Sequence, residues 1–367
     1  MQRYAKLVSP TGNSQQSLMS VSNLQLDTLR IVDMNKAYNN SPSKEVLCFR
    51  HLAKQAIRKL FDDDGFIEID TPYLITANTP DPFIDPIFVL EKHGGLGQRQ
   101  LHTSPEIWLK RSLSLGLEKI YHMARVFRDD PPSDHHSAEF TMLEWYRVNT
   151  RLVDLLTDCE AIFNLSAKIA QKQGQMEPGP DLTILKTDVS FLFKKFARID
   201  LEHELHRIAQ GDHLSLNRAL AERRTEHLPQ DASFADAFFH IMLKYVEPNL
   251  PKNQPVAIFG WPVQLAALAA PSEQNPLLCD RFEIYFQGLE IANAYQECTQ
   301  ADVLRGRFVS ENLERAALNK PVFPIDEDLL VGVSKMPETA GIALGLDRLF
   351  MALLSKKQIS QIILGID

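Results

Sequence analysis

Residues 119–147 read KIYHMARVFRDDPPSDHHSAEFTMLEWYR. Two strand-like runs, Lys119–Arg128 and Glu139–Arg147, flank a polar loop from Asp129 to Ala138. Period-two geometry in the second run sets Phe140, Met142, Glu144 and Tyr146 on one face and Thr141, Leu143, Trp145 and Arg147 on the other. An aromatic, a carboxylate and a phenol therefore share one surface.

Working outward, Ser41 and Pro42 suit an N-cap and first helical position, and Phe49, Leu52, Ala53, Ala56, Ile57 and Leu60 follow at helical spacing until Gly65. Phe66–Asp70 alternates as a strand and stops at Thr71-Pro72, which marks an edge. Ser104-Pro105-Glu106 opens another helix that ends near Gly116. From about 151 to 250 the pattern is mainly helical, broken by polar turns such as Gly174–Pro180, and reads as an insertion between strands. Strands resume at Val256–Phe259, Arg281–Gln287 and Leu289–Tyr295, and Gly341–Gly345 precedes a final helix from about Leu346 to Lys356. Strands so far apart imply an α+β fold with one mostly antiparallel sheet flanked by helices. Residues 1–43 read as an irregular extension, which leaves 44–367 as the main domain.

The chain has 367 residues, 44% apolar and 23% charged, enough to bury a sizeable core. With 39 Lys plus Arg against 47 Asp plus Glu, the net charge of -8 supplies no long-range attraction to a polyanion, so any nucleic-acid contact is local. No signal-peptide or membrane-span pattern occurs, and a cytoplasmic enzyme is expected. Cys48, Cys159, Cys279 and Cys298 lie far apart without a CxxC pair, which argues against a zinc ribbon or disulfide framework. All four are expected to be reduced, buried thiols.

Arg128 and Arg348 each follow an expected strand end beside aspartate. Taken singly, each reads as a surface ion pair of little energetic weight. The set of segments around them is more specific. Gly65–Pro72, Phe127–Asp130 through Glu139–Tyr146, and Gly341-Ile342-Ala343-Leu344-Gly345-Leu346-Asp347-Arg348 resemble, in order, motifs one, two and three of class II aminoacyl-tRNA synthetases. Thr103-Ser104-Pro105-Glu106 and Gly288–Glu297 resemble the lysyl branch.

The resemblance implies adenylate chemistry on ATP with Mg²⁺, which needs charge neutralisation and alignment more than a protein nucleophile. It implies Arg128, Arg348 and Glu290 as catalytic residues, with Arg128 on the α-phosphate and Phe140 and Arg348 around the adenine. ATP would also meet Asp130, His136, Ile291 and Gly345, and Mg²⁺ would be held by Glu290 and Glu297. Ser104, Glu106, Glu144, Tyr146, Asn293, Glu297 and Ala343 would bind the amino acid, an acidic set suited to a diamino substrate. Glu290 and Glu297 are seven apart, so an ideal strand would set them on opposite faces, and a bulge or strand end near Ala294 is expected. Asp130 replaces the usual Glu of motif two, Asp134 and His135 stand where relatives commonly carry arginine, and Ser137-Ala138 replaces Asn-Pro. These departures bear on ATP affinity and leave Arg128 intact. A structural role for the histidine pair His135 and His136 is the alternative, and zinc is not expected without nearby Cys.

Only about forty residues precede the first motif, too few for the oligonucleotide-binding barrel of a lysyl-tRNA synthetase. The architecture resembles the lysyl-synthetase paralogues that attach lysine or (R)-β-lysine to elongation factor P, and Ala343, where lysyl-tRNA synthetases usually have Gly, is in keeping with them. Lysine or (R)-β-lysine and elongation factor P are the expected partners, tRNA and membranes are not, and motif one implies a homodimer. A truncated enzyme charging tRNA or a small molecule, and a catalytically silent regulatory paralogue, are the competing readings.

Overall fold

A computed structural model describes residues 41–90, 99–131, 133–225, 227–229 and 232–365. All but the last three residues of the expected extension 1–43 lie outside them. The helices are α1 (Lys44–Asp63), α2 (Glu106–Leu113), α3 (Leu155–Lys172), α4 (Leu201–Ala209), α5 (Ser215–Arg224), α6 (Phe234–Ile241), α7 (Ala301–Ala317), α8 (Glu327–Lys335) and α9 (Leu346–Leu353), with one-turn pieces between. The main sheet is built from β1 (Ile67–Glu68), β2 (Lys119–Phe127), β3 (Glu139–Val148), β4 (Leu185–Asp188), β5 (Val256–Phe259), β6 (Arg281–Phe286), β7 (Leu289–Gln296) and β8 (Thr339–Gly345).

The strand order is β1-β2-β3-β8-β7-β6-β5-β4. The outer pairs β1/β2 and β4/β5 are parallel and every pair between them is antiparallel. A short first strand at one edge fits the proline that ends its sequence pattern. β4 lies inside the segment read as helical, where Lys186 and Thr187 follow β5 in parallel register.

Alternation divides the sheet into two chemically different faces. Leu143, Trp145, Phe282, Ile284, Ala292, Ala294, Ala340, Ile342 and Leu344 point into a core closed by α1, α3 and α9. The stripe Val46, Phe49, Ala53, Ile57 and Phe61 is the buried side of α1, and Phe61 stacks on Tyr121 at 4.7 Å between ring centroids. The α1 cap is Ser43 rather than Ser41, since its Oγ accepts from the Val46 amide at 3.4 Å. Around Phe193, Phe238 and Trp261, α4, α5 and α6 form a second apolar cluster beside β5. Cys159, Cys279 and Cys298 are buried free thiols, whereas Cys48 is exposed, because it falls off the buried stripe of α1.

On the opposite face the register lines up two rows of polar and small residues. One row runs Glu144, Ala343, Asn293, Glu283, and the next runs Tyr146, Gly341, Tyr295, Arg281. The bulge that permits this is not near Ala294. Ile284 pairs with Ala292 and Tyr285 with Glu290, so Ile291 is the extra residue, while β7 and β8 pair without a break from Ala292 to Gln296. The extra residue corrects the parity, and Glu290 joins Asn293, Tyr295 and Glu297 in lining one cavity.

Candidate functional site

The cavity over this face has a volume of about 870 Å³. Every site residue expected from sequence lines it: Ser104, Glu106, Arg128, Asp130, His136, Phe140, Glu144, Tyr146, Glu290, Ile291, Asn293, Glu297, Ala343, Gly345 and Arg348. They fall into a guanidinium-rich end and an acidic end.

At the first end, Arg128 follows β2, its amide donating to Ala138 O at 2.9 Å to close the hairpin. Its Nε lies 3.4 Å from Thr103 O and its guanidinium 5.3 Å from the Phe140 ring centroid. Burial pulls its pKa below the usual arginine value, with Asp130 and Glu290 opposing, yet a guanidinium stays charged in any protein setting. Arg348 stands in the first turn of α9 and reaches across to the polar loop. Its Nη2 is 2.8 Å from His136 Nε2, its Nη1 donates to Glu290 O at 3.2 Å, and that nitrogen is 3.7 Å from Glu290 Oε2. Because arginine only donates, His136 Nε2 accepts and its Nδ1 donates to Ser133 Oγ at 2.7 Å. Burial and the Arg348 charge both lower the His136 pKa, in keeping with a neutral ring.

Neighbouring Asp347 points the other way. Its Oδ2 accepts from the Thr141 amide at 2.6 Å and its Oδ1 pairs with Arg50, whose Nη2 donates to Thr141 Oγ1 at 2.8 Å. This buried joint ties α1, β3 and α9 together and so fixes where Arg348 emerges.

At the acidic end, Lys110 Nζ lies 2.7 Å from Glu106 Oε1 and 2.7 Å from Glu297 Oε2. Tyr146 OH donates to Glu144 Oε1 at 2.7 Å, and Asn293 Nδ2 donates to Tyr295 OH at 2.9 Å. Four buried acceptors, Glu144 Oε2, Asn293 Oδ1 and both carboxylate oxygens of Glu297, have no hydrogen-bond partner among the described residues, Glu297 Oε2 having only its ion pair with Lys110. An acceptor left unpaired in the interior is costly, and an ammonium brings three donors. Burial, reinforced by Glu106, raises the Glu144 pKa far above the carboxylate range. It also pushes the Glu297 carboxyl up to about 7, although Lys110 pulls it down.

Glu290 and Glu297 do not share a contact, for they occupy opposite ends of β7, roughly 20 Å apart at the usual strand rise. Glu297 is engaged by Lys110 and does not fit a cation shared with Glu290. The carboxylate that does accompany Glu290 is Glu283, which lines the cavity one strand over, pairs with Arg281 and accepts from Tyr285 OH at 2.7 Å. Glu290 acts electrostatically on it, and burial pushes its pKa up to about 7. Glu283 and Lys110 were missed from sequence. The alternation Arg281-Phe282-Glu283-Ile284-Tyr285 could have exposed the first; Lys110, four residues after Glu106 on a helix, reads as an ordinary surface pair.

The cavity rim at 81–84 is held from behind. Arg315, fully buried, donates to Asp81 O at 2.7 Å, Ile84 O at 3.1 Å and Asp85 Oδ1 at 3.1 Å, and Lys320 donates to Pro82 O at 2.8 Å. Asp85 O in turn accepts from the Asp129 amide at 2.8 Å, which joins the rim to the Arg128 segment.

Comparison with known proteins identifies the family of the chain. The profile described as tRNA synthetases class II (D, K and N) matches residues 28–364. A protein named elongation factor P--(R)-beta-lysine ligase from Edwardsiella ictaluri (strain 93-146) is 32% identical over 317 residues, covering 84% of this chain and 90% of the relative. A protein of the same name from Baumannia cicadellinicola subsp. Homalodisca coagulata is 33% identical over 337 residues, covering 90% and 98%. With a profile spanning most of its length, and relatives this similar over most of both chains, the chain belongs to the class II tRNA synthetase family of the D, K and N type.

Proposed function

We propose that this protein is an ATP-dependent ligase that activates (R)-β-lysine or lysine as an aminoacyl adenylate and transfers it to a lysine side chain of elongation factor P. The observation that carries the reading is one cavity with guanidinium groups at one end and unpartnered acidic and amide oxygens at the other. The names of the relatives support the substrate and acceptor.

In the first step a carboxylate oxygen of the amino acid attacks the α-phosphorus, the bond to the β-phosphate oxygen breaks, and pyrophosphate leaves. Arg128 neutralises the α-phosphate, where charge gathers as the two oxygens crowd the phosphorus. Phe140 and Arg348 flank the adenine, and Asp130, His136, Ile291 and Gly345 complete the nucleotide wall. Glu290, with Glu283, would hold Mg²⁺, which supplies further neutralisation of the phosphates. Glu144, Asn293 and Glu297 receive the ligand's ammonium groups, with Ser104, Glu106, Tyr146 and Ala343 shaping the pocket. In the second step the uncharged ε-amine of the acceptor lysine attacks the activated carbonyl, loses its proton, and AMP departs.

The outer face of α1, which exposes Leu47, Leu52 and Cys48, and the edge strand β1 with Ile67 offer an apolar surface for a two-fold homodimer contact. No helix among the described residues is long and apolar enough to cross a membrane, and we place the reaction in the cytoplasm. ATP-pyrophosphate exchange with each lysine isomer, followed by the intact mass of elongation factor P, tests the whole scheme. Exchange without added mass on the factor, together with acid-precipitable aminoacyl-tRNA, would shift the assignment to tRNA charging.

A further inference from the structure

The acidic end of the cavity is backed by a cation of the chain's own, which pairs with two of the lining carboxylates without itself lining the cavity. Lys110 Nζ sits 2.7 Å from one carboxylate oxygen of Glu106 and 2.7 Å from one of Glu297, and its side chain is only 2% exposed. Glu106 and Lys110 share one face of α2, four residues apart, whereas Glu297 arrives from the end of β7. Arg111, next along α2, is engaged elsewhere by Asp326 and Asp328, so it does not compete for these carboxylates. The ammonium thus holds Glu297 through an ion pair to Oε2, while Glu297 Oε1, Glu144 Oε2 and Asn293 Oδ1, from residues that line the same cavity, have neither a hydrogen bond nor an ion pair.

We infer that Lys110 is a positioning residue for amino-acid selection: its fixed ammonium aims Glu106 and Glu297, and leaves three free acceptors for the ammonium of the ligand. The inference rests on the proposed activation of a diamino acid. Burial and the Glu106 charge already favour the neutral acid of Glu144 with the cation in place; without it, Glu297 would lose the one charge that opposes its own burial and would also take a proton more readily. A protonated acid is neutral and attracts a cationic substrate less. The ionisable groups that act on Lys110 are Glu106 from its own helix, Glu144 from β3 and Glu297 after β7, with Tyr146 of β3 bonded to Glu144. Tyr295 of β7 and Glu311 of α7 feel the Glu106 charge, and β8 contributes the non-ionising Gly341 and Ala343. Glu297 is already raised by burial with Lys110 present, so loss of the ammonium moves it further up.

Lys110→Met keeps the unbranched shape and removes the charge. In pyrophosphate exchange at pH 7.5 the variant should show an amino-acid KM at least tenfold above wild type, falling back toward it as the pH rises to 9, with the ATP KM within twofold. Wild type should be flat over that window. An amino-acid KM within threefold of wild type with the same pH profile would overturn the inference, as would equal rises in both KM values, which mark general damage. If the variant does not fold, nitrogen-15 spectra of lysine-labelled wild type decide. The buried ammonium should give an exchange-protected Nζ signal at pH 8 that moves on saturation with (R)-β-lysine and not with ATP, and an absent or unmoved signal overturns the inference. Wild-type exchange supported by no diamino acid would instead retire the functional reading, and this inference with it.

Discussion

Gly341→Ala inserts one methyl group at the most crowded point of the acidic end. The backbone of Gly341 is ordinary β8 strand, so only space opposes a side chain there. An added Cβ would lie 2.6 Å from Tyr146 Cδ1 and closer still to Tyr146 Cε1 and Glu297 Oε1. Ordinary carbon contacts begin near 3.5 Å, so the overlap is about 0.9 Å at Cδ1 and larger at Cε1. Neither neighbour can retreat freely, because Tyr146 is bonded to Glu144 at 2.7 Å and Glu297 is paired with Lys110 at 2.7 Å. Overpacking of this kind costs about 1–3 kcal/mol, and breaking either polar contact adds a similar amount. Expressed at the site, that is an amino-acid KM raised on the order of 10- to 100-fold, since about 1.4 kcal/mol is a factor of ten. Expressed in the fold, it lowers Tm by about 2–4 °C per kcal/mol. The assay is pyrophosphate exchange titrated with the amino acid, beside thermal unfolding. An alanine variant with unchanged amino-acid KM and unchanged Tm would refute the packing argument.

Arg128→Ala should reduce pyrophosphate exchange by about 10²- to 10³-fold with the thermal transition little altered, the loss expected for one charge-stabilising group; exchange at the wild-type rate would remove Arg128 from the reaction. Asp347→Ala leaves Arg50 unpaired at a joint where the aspartate is buried, and should cost about 3–5 kcal/mol in denaturant unfolding. Amino-acid affinity should weaken as pH falls through about 7, because the raised Glu297 carboxyl is charged above that point and neutral below it. Calorimetric titration of the amino acid from pH 6 to 8 checks the direction, and tighter binding at pH 6 would contradict it.

Alternation alone carried much of this site. The pattern Phe140, Met142, Glu144, Tyr146 is a local property of one strand, and all four residues line the cavity. The bulge was misplaced by three residues because the pairing of β7 with β6 decides it, and neither strand contains a glycine or proline at Ile291 to mark it. The pairing of Lys110 with Glu297 was illegible for a related reason: its local partner Glu106 explains the lysine completely, and the second partner is distant in sequence. Glu283 was passed over because its row-mates across the sheet come from register, which composition does not encode. The order of the motifs fixed the two arginines at one end of the cavity, while the detail that Arg348 also holds His136 depends on how the polar loop closes.

The bonds behind the rim make distant stretches of chain mechanically dependent. Asp85 gives one carboxylate oxygen to Arg315, the other to Lys320 at 2.9 Å, and its carbonyl to Asp129, so residues 82–85, 128–130 and 315–320 meet at a single joint. That wall of the cavity is braced like a doorpost. Ligand traffic must therefore be accommodated by another side, and amide hydrogens along these three stretches should open together or not at all.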